Sequence, residues 1–453
     1  MPVEPEARPN IIVVFTDQQR WDTLGVAGNP CGLTPNLDRM AERGRMFETA
    51  CAANPVCAPS RAAILTGQYP TTVGVHRNGM SLPPGAPTIG SLFQEAGYYT
   101  GYIGKWHLSD DEPVPPSERQ GFDYWLASNL LEFTSDAYRT VLFDGEGEAV
   151  SLPGYRTDAI VDASIRFLAD NVDTPFMLFT SLLEPHHQNE LDSYPAPEVY
   201  RRSYEGAWLP PDLASLGGSA HQHIAGYYGQ VKRLDEGLGR IRDALLSLGI
   251  ERRTIVVYTS DHGSHFKTRN DEYKRSCHDA SIRVPFVFDG PGFRGGGRVS
   301  RPVSTVDLVP TLLDAAGIEV PDSIEGRSLL AVDDESDAYP PDVFVQVSET
   351  ETGRALRTER WKFYAASDDP RDQPSADRYV ERALYDLEHD PAELDNVIDS
   401  AGHRELAGAL ERRLVERIQE IEGRFVEIEP FSGALREGRW PETMARRNVI
   451  NTN

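Results

Sequence analysis

The chain has 453 residues, of which 40% are apolar and 25% charged, and it carries a formal net charge of -25. This is an ordinary soluble globular composition, long enough for a large α/β domain and a smaller one. So acidic a chain lacks the electrostatic footprint of a nucleic-acid binder or of a protein on an anionic membrane. Any anionic substrate must be held by a local cluster of cations or by a metal.

Residues 1–8 are acidic and Pro-rich, without the basic start and apolar stretch of a leader. The first apolar run, 11–15, is far too short to span a bilayer. A cytoplasmic location without membrane contact is therefore the expectation. Short β-branched or aromatic runs at 11–16, 98–103, 176–181, 254–259 and 285–288 predict strands, with helical patterns between them. The alternation predicts a large, mostly parallel sheet with helices on both faces. Val231, Leu234, Leu238, Ile241, Leu245 and Leu248 recur at three and four residues and predict an amphipathic helix. An acidic, Pro-containing linker at 333–342 divides a catalytic part, 1–333, from a subdomain and tail, 334–453. There, runs at 343–347, 361–365 and 383–387 predict a small antiparallel sheet. A final helix carrying Leu406, Leu410, Leu414, Ile418 and Ile421 packs on it. The tail, 429–453, has few core signals and is expected to wrap the surface or reach a neighbouring subunit, so a homo-oligomer is compatible. Cys31, Cys51, Cys57 and Cys277 form no CxxC pair, which gives neither a disulfide framework nor a zinc knuckle.

Polar residues follow the predicted strands: Asp17 and Gln18 after the first, Lys105 and His107 after the second, Glu184, His186 and His187 after the third, Asp261 and His262 after the fourth. Open α/β sheets bind ligands outside the carboxyl ends of their strands. Any one of these residues could be a turn cap or a packing histidine, but their common position predicts a site. Asp17 and Asp261 are hard oxygen donors and His262 adds a nitrogen, a set suited to Ca²⁺ or Mg²⁺, with Mn²⁺ tolerated. Asn78, His187, Lys267 and His278 fall on loops near this edge and are candidate substrate contacts. Their polar crowding suits a sugar's hydroxyls.

Cys57-Ala58-Pro59-Ser60-Arg61 reads C-x-P-S-R and opens a good helix, with Pro59 in the first turn. Cys57 would sit at the helix N-terminus, where free N–H groups favour anions. With this motif the chain resembles the formylglycine-dependent type I sulfatases of the alkaline phosphatase superfamily. The resemblance runs through Thr34-Pro35-Asn36-Leu37-Asp38, Thr66-Gly67-Gln68-Tyr69-Pro70, Gly104-Lys105-Trp106-His107-Leu108, Ser304-Thr305-Val306-Asp307 and Leu384-Tyr385-Asp386-Leu387. It implies an alkaline-phosphatase-like fold and a sulfate-ester hydrolase whose nucleophile is formylglycine, made from Cys57 by a formylglycine-generating enzyme. It implies a divalent metal, Ca²⁺ first with Mg²⁺ or Mn²⁺ as alternatives, held by Asp17, Gln18, Cys57, Asp261 and His262. Gln18 stands where many members have a second Asp, and His262 where many have Asn. Arg61 is implied to hold the formylglycine hydroxyl, Lys105 and His107 to contact the oxyanion and nucleophile, and His186 to face the leaving group. Lys274 is implied as the second sulfate-binding lysine, with Lys267 competing for that role. A saccharide sulfate is the implied substrate. Gln18 and His262 also resemble the phosphonate monoester hydrolase branch, which makes phosphonate or phosphodiester hydrolysis the alternative. A non-catalytic binder of sulfated sugars, with Cys57 unmodified, is the third reading.

Overall fold

The β-branched runs form strands, and the computed structural model, which describes residues 8–334, 339–369 and 373–436, gathers them with others into one ten-stranded sheet. Its strands are β1 (Asn10–Thr16), β2 (Arg45–Phe47), β3 (Tyr99–Lys105), β4 (Tyr124–Ser128) and β5 (Thr140–Phe143). They continue with β6 (Ala149–Leu152), β7 (Phe176–Ser181), β8 (Thr254–Ser260), β9 (Phe286–Asp289) and β10 (Gly297–Val299). The order across the sheet is β10-β2-β9-β8-β1-β7-β3-β4-β5-β6. The central strands β8-β1-β7-β3-β4 are parallel. The margins are mixed: β9 runs antiparallel to both β8 and β2, β10 lies parallel to β2, and β5 and β6 form an antiparallel hairpin, which a short turn can join only in that sense.

Helices α1 (Pro35–Arg43), α2 (Cys57–Thr66), α3 (Arg156–Asp170), α4 (Ala220–Ser247) and α5 (Leu308–Ala315) cover the sheet. Strand side chains alternate between faces. Ile11, Val13 and Phe15 of β1 therefore join the core of α2 and α5, and Ile12 and Val14 join that of α1, α3 and α4. Burial on both faces explains why β1 reads as an unbroken apolar run. Leu234, Leu238, Ile241 and Leu245 of α4 face the sheet as their spacing predicts. Leu248 lies just past the end of the helix, and Val231 joins a separate aromatic cluster with Tyr227 and Phe266.

Beyond the linker, of which 335–338 lie outside the described residues, a second sheet runs β11 (Asp342–Val347), β12 (Thr352–Thr358), β13 (Trp361–Ser367), β14 (Arg378–Asp386), β15 (Glu427–Glu429). It is antiparallel except that β15 lies parallel to β14. Helix α6 (Arg404–Glu422) packs on one face through Leu410, Leu414 and Ile418. The other face packs on Cys51, Cys277 and Ile282 of the larger part. The tail returns as far as Arg436, which bridges to Ser400, and 437–453 lie outside the described residues. Among the described residues, no helix is long and apolar enough to cross a membrane.

Candidate active site

Four neighbouring parallel strands deliver the site. The chain leaves β1 at Asp17, β3 ends on Lys105, β7 leads to His186, and β8 leads to Asp261 and His262. Gly104 lets β3 approach β7: at its φ of +113° a Cβ would lie 1.9 Å from the Ser181 carbonyl oxygen, so only glycine fits. Lys105 is thereby seated with its ammonium wholly buried, 2.9 Å from Asp17 Oδ2 and 3.0 Å from Glu132 Oε1. Although burial opposes the charge, Asp17 and Glu132 hold Lys105 above the usual ammonium range. Burial likewise opposes ionisation of Glu132, yet Lys105 draws it down to about 2.

Cys57 is the first residue of α2, entered from an extended Val56. The Ala58 amide donates to Asn78 Oδ1 at 3.0 Å, and Ser60 Oγ donates to the Asp261 carbonyl at 2.5 Å, fixing the helix start against β8. Arg61, one turn in, is buried. It donates to Asp17 Oδ2 at 2.9 Å, Ser181 Oγ at 2.9 Å and the Lys105 carbonyl at 3.0 Å. The Cys57 sulfur stands 2.8 Å from Lys274 Nζ, 3.3 Å from His262 Nε2 and 3.8 Å from Asp17 Oδ1, with His107 and His186 near enough to act on it. Burial alone would raise the thiol, but Lys274, Lys105 and His262 pull it well below its ordinary value. Whatever atom occupies this position is stabilised as an anion.

Ligand atoms of Asp17, Cys57, Asp261 and His262 lie within 4.8 Å of one another, all buried. Asp261 Oδ2 has no hydrogen-bond partner, and burial together with Asp17 pushes its carboxyl up to about 7. An orphaned buried oxygen beside a second carboxylate fits a divalent cation. Gln18, backbone φ +69°, turns its amide nitrogen to Ser264 Oγ at 3.2 Å and Tyr194 OH at 3.4 Å, and its main-chain amide donates to Asp261 Oδ1 at 2.9 Å.

A cavity of about 330 Å³ opens over Cys57, lined by Gln18, Asn78, His107, His186, His187 and Lys274 among others. Of the two candidate lysines, Lys274 reaches the sulfur, whereas the Lys267 ammonium lies 4.8 Å from the centroid of the Tyr273 ring and off the cavity. His278 is also off the cavity, half-buried between Ser276 Oγ and Tyr385 OH at 3.1 Å each, because the chain turns inward there to meet the second sheet. Glu184 turns away to Arg156 at 2.9 Å. Sequence reading missed Glu132, on a four-residue helix with no motif around it, and Tyr273, Arg275 and Phe133 on the cavity wall.

A family model described as sulfatase matches residues 9–318, and one described as N-sulphoglucosamine sulphohydrolase, C-terminal, matches 271–420. The chain is 31% identical to an ulvan-active sulfatase of Formosa agariphila, covering 92% of this chain and 82% of that one. It is 26% identical to an N-acetylglucosamine-6-O-sulfatase of Bacteroides thetaiotaomicron, over 94% of this chain and 88% of that one. The fold is shared with a phosphonate monoester hydrolase of Agrobacterium radiobacter, at a TM-score of 0.70 and 23% identity, over 91% of this chain and 96% of the other.

Proposed function

The chain belongs to the sulfatase family and is a sulfuric ester hydrolase, and from that premise we propose that it removes sulfate from a sulfated saccharide by way of formylglycine at residue 57 and a divalent metal. The observation that carries the proposal is the buried position of Cys57, at a helix N-terminus, against Lys274 and the Asp17–Asp261–His262 group. A cavity of about 330 Å³, to which Asn78, His186, Lys274 and Arg275 bring polar groups, has room for a sugar unit, and a relative is named as an N-acetylglucosamine-6-O-sulfatase. We read residues 1–333 as the catalytic part and 334–453 as its supporting subdomain.

Asp17, Asp261, His262 and residue 57 would hold the divalent ion, Ca²⁺ first by the donor set, with Mg²⁺ or Mn²⁺ as alternatives. Bound there, such an ion neutralises charge on the sulfuryl oxygens. Formylglycine, as its aldehyde hydrate, supplies one hydroxyl to attack sulfur and a second whose deprotonation returns the aldehyde and expels sulfate. The chain's own residues do the rest. Lys274 and Lys105 set a positive field at residue 57, which opposes the repulsion between an incoming hydroxyl and the sulfuryl oxygens. Arg61 is pinned by three acceptors and aligns Asp17. His107, held at a φ of +63°, places its ring against residue 57, where it can take the proton of the second hydroxyl. His186, on the cavity side, faces the departing alcohol.

Mass spectrometry of the peptide containing residue 57, with rates on a sulfate ester and a phosphonate ester, tests the proposal. The expected result is formylglycine, faster sulfate than phosphonate hydrolysis, and loss of nearly all turnover in a folded Cys57→Ala variant. Unimpaired turnover in Cys57→Ala sinks the nucleophile. Faster phosphonate hydrolysis moves the activity to the alternative that Gln18 and His262 resemble.

A further inference from the structure

Beside the cavity, a second cluster of donors has no part in the chemistry above. His187 follows β7, Asp192 lies five residues on, His223 is in the first turn of α4, and Tyr273 immediately precedes Lys274. Asp192 Oδ1 stands 3.1 Å from His187 Nε2, 3.9 Å from His223 Nε2 and 3.3 Å from Tyr273 OH. Tyr273 OH is 3.4 Å from His223 Nε2, and the ligand atoms of the two histidines and Asp192 all lie within 4.8 Å of one another.

A tetrahedral ion with bonds of about 2.0–2.1 Å needs its ligand atoms about 3.3 Å apart. Four of the pairwise separations, 3.1, 3.3, 3.4 and 3.9 Å, already lie near that spacing. The His187 ring stacks on Tyr273 with centroids 4.2 Å apart, which fixes two of the four donors. Both imidazoles are buried while the Asp192 side chain is 64% exposed, so an ion has a route from solvent to a prepared seat. Two nitrogens and one carboxylate oxygen suit a borderline-soft ion of the zinc class better than Ca²⁺ or Mg²⁺.

We propose that His187, Asp192 and His223, with Tyr273 at the fourth corner, form a second metal site that takes a zinc-class ion. Such an ion ties the loop 187–192 and the Tyr273 segment to α4. His187 and Tyr273 line the substrate cavity, so the ion fixes that wall.

The test is calorimetric titration of Zn²⁺ into the purified enzyme kept in excess Ca²⁺, with Co²⁺ absorbance as a second readout of tetrahedral geometry. One equivalent of Zn²⁺ is expected, still bound by an Asp261→Asn variant, in which the first centre is damaged. Loss of even an outer partner of a metal costs about 10- to 100-fold in affinity, so Asp192→Asn and His223→Gln should each weaken Zn²⁺ at least that much. Asp192 is exposed, so its variant folds even if His223→Gln does not. Failure to bind Zn²⁺, binding that disappears with Asp261→Asn, or equal affinity in wild type and Asp192→Asn each overturns the second site. None of these outcomes depends on turnover, so the sulfatase reading stands or falls separately.

Discussion

His186 is placed to act on the leaving group, but burial, reinforced by Lys274, pushes its imidazole below the ordinary range. The substrate's own negative charge would favour the protonated ring and so support its acid role. General acid help matters most for a poor leaving group. His186→Ala should cost about 10²-fold or more in kcat/KM on a sugar sulfate and much less on nitrophenyl sulfate, whose phenolate leaves unaided. Equal losses on both, expressed mainly in KM, would reduce His186 to a contact of the bound substrate. Lys105 shows the opposite design. Fastened between Asp17 and Glu132, it has no freedom to follow a proton and serves as fixed charge. The Lys105–Asp17 half of that arrangement was legible, because both residues follow strong strand signals. The Glu132 half was not, since a carboxylate on a short helix between weak strands has no local pattern to mark it. Lys274 was preferred to Lys267 only through the family resemblance, for a related reason: which lysine a loop turns inward depends on the loop's path rather than on spacing from Asp261.

At the scale of elements, β12 escaped the sequence because its run, Thr352–Thr358, carries Arg354 and Arg357, which break the apolar alternation that marks a strand. Both arginines are buried and paired, Arg354 with Glu422 of α6 at 2.6 Å and Arg357 with Asp279 at 3.2 Å. Tertiary partners made a polar run into a central strand. Five strands of the large sheet, β1, β3, β7, β8 and β9, were legible for the converse reason, since burial on both faces leaves nearly continuous apolar runs, whereas the marginal β2, β4, β5, β6 and β10 were not. Of these pairs, that of Arg357 with Asp279 ties the second sheet to the larger part. Lys362 of β13, fully buried, lies 2.5 Å from Asp279 and 2.6 Å from Glu393, and Asp279 comes from the segment that also carries Lys274 and His278. Removing one partner of a buried pair strands the other charges and costs about 3–5 kcal/mol. Lys362→Met should therefore lower the unfolding midpoint strongly and raise hydrogen exchange first in β11 to β14. A midpoint within experimental error of wild type would show that apolar packing alone joins the sheets.

At the scale of the whole molecule, 45 basic and 70 acidic residues make the protein repel polyanions, while the site draws in a sulfate through a few local cations. The long-range field is screened over about 30 Å at 0.01 M salt and about 10 Å at 0.1 M. For a multiply sulfated saccharide, kcat/KM should rise with ionic strength over that interval, mainly through KM, and the rise should be smaller for singly charged nitrophenyl sulfate. A fall with added salt would mean that Lys274, Arg275 and their neighbours steer substrate despite the global charge. A last consequence follows from the burial of α2. Pro59, Ser60 and Arg61 are sealed in the interior, so once the domain has closed only the sulfur of residue 57 looks out into the cavity. On the proposed chemistry, a maturation enzyme that reads those residues must reach them before they are buried, so conversion of Cys57 is a race between a catalyst and the collapse of the nascent chain, and a molecule that folds first is sealed as a well-formed blank.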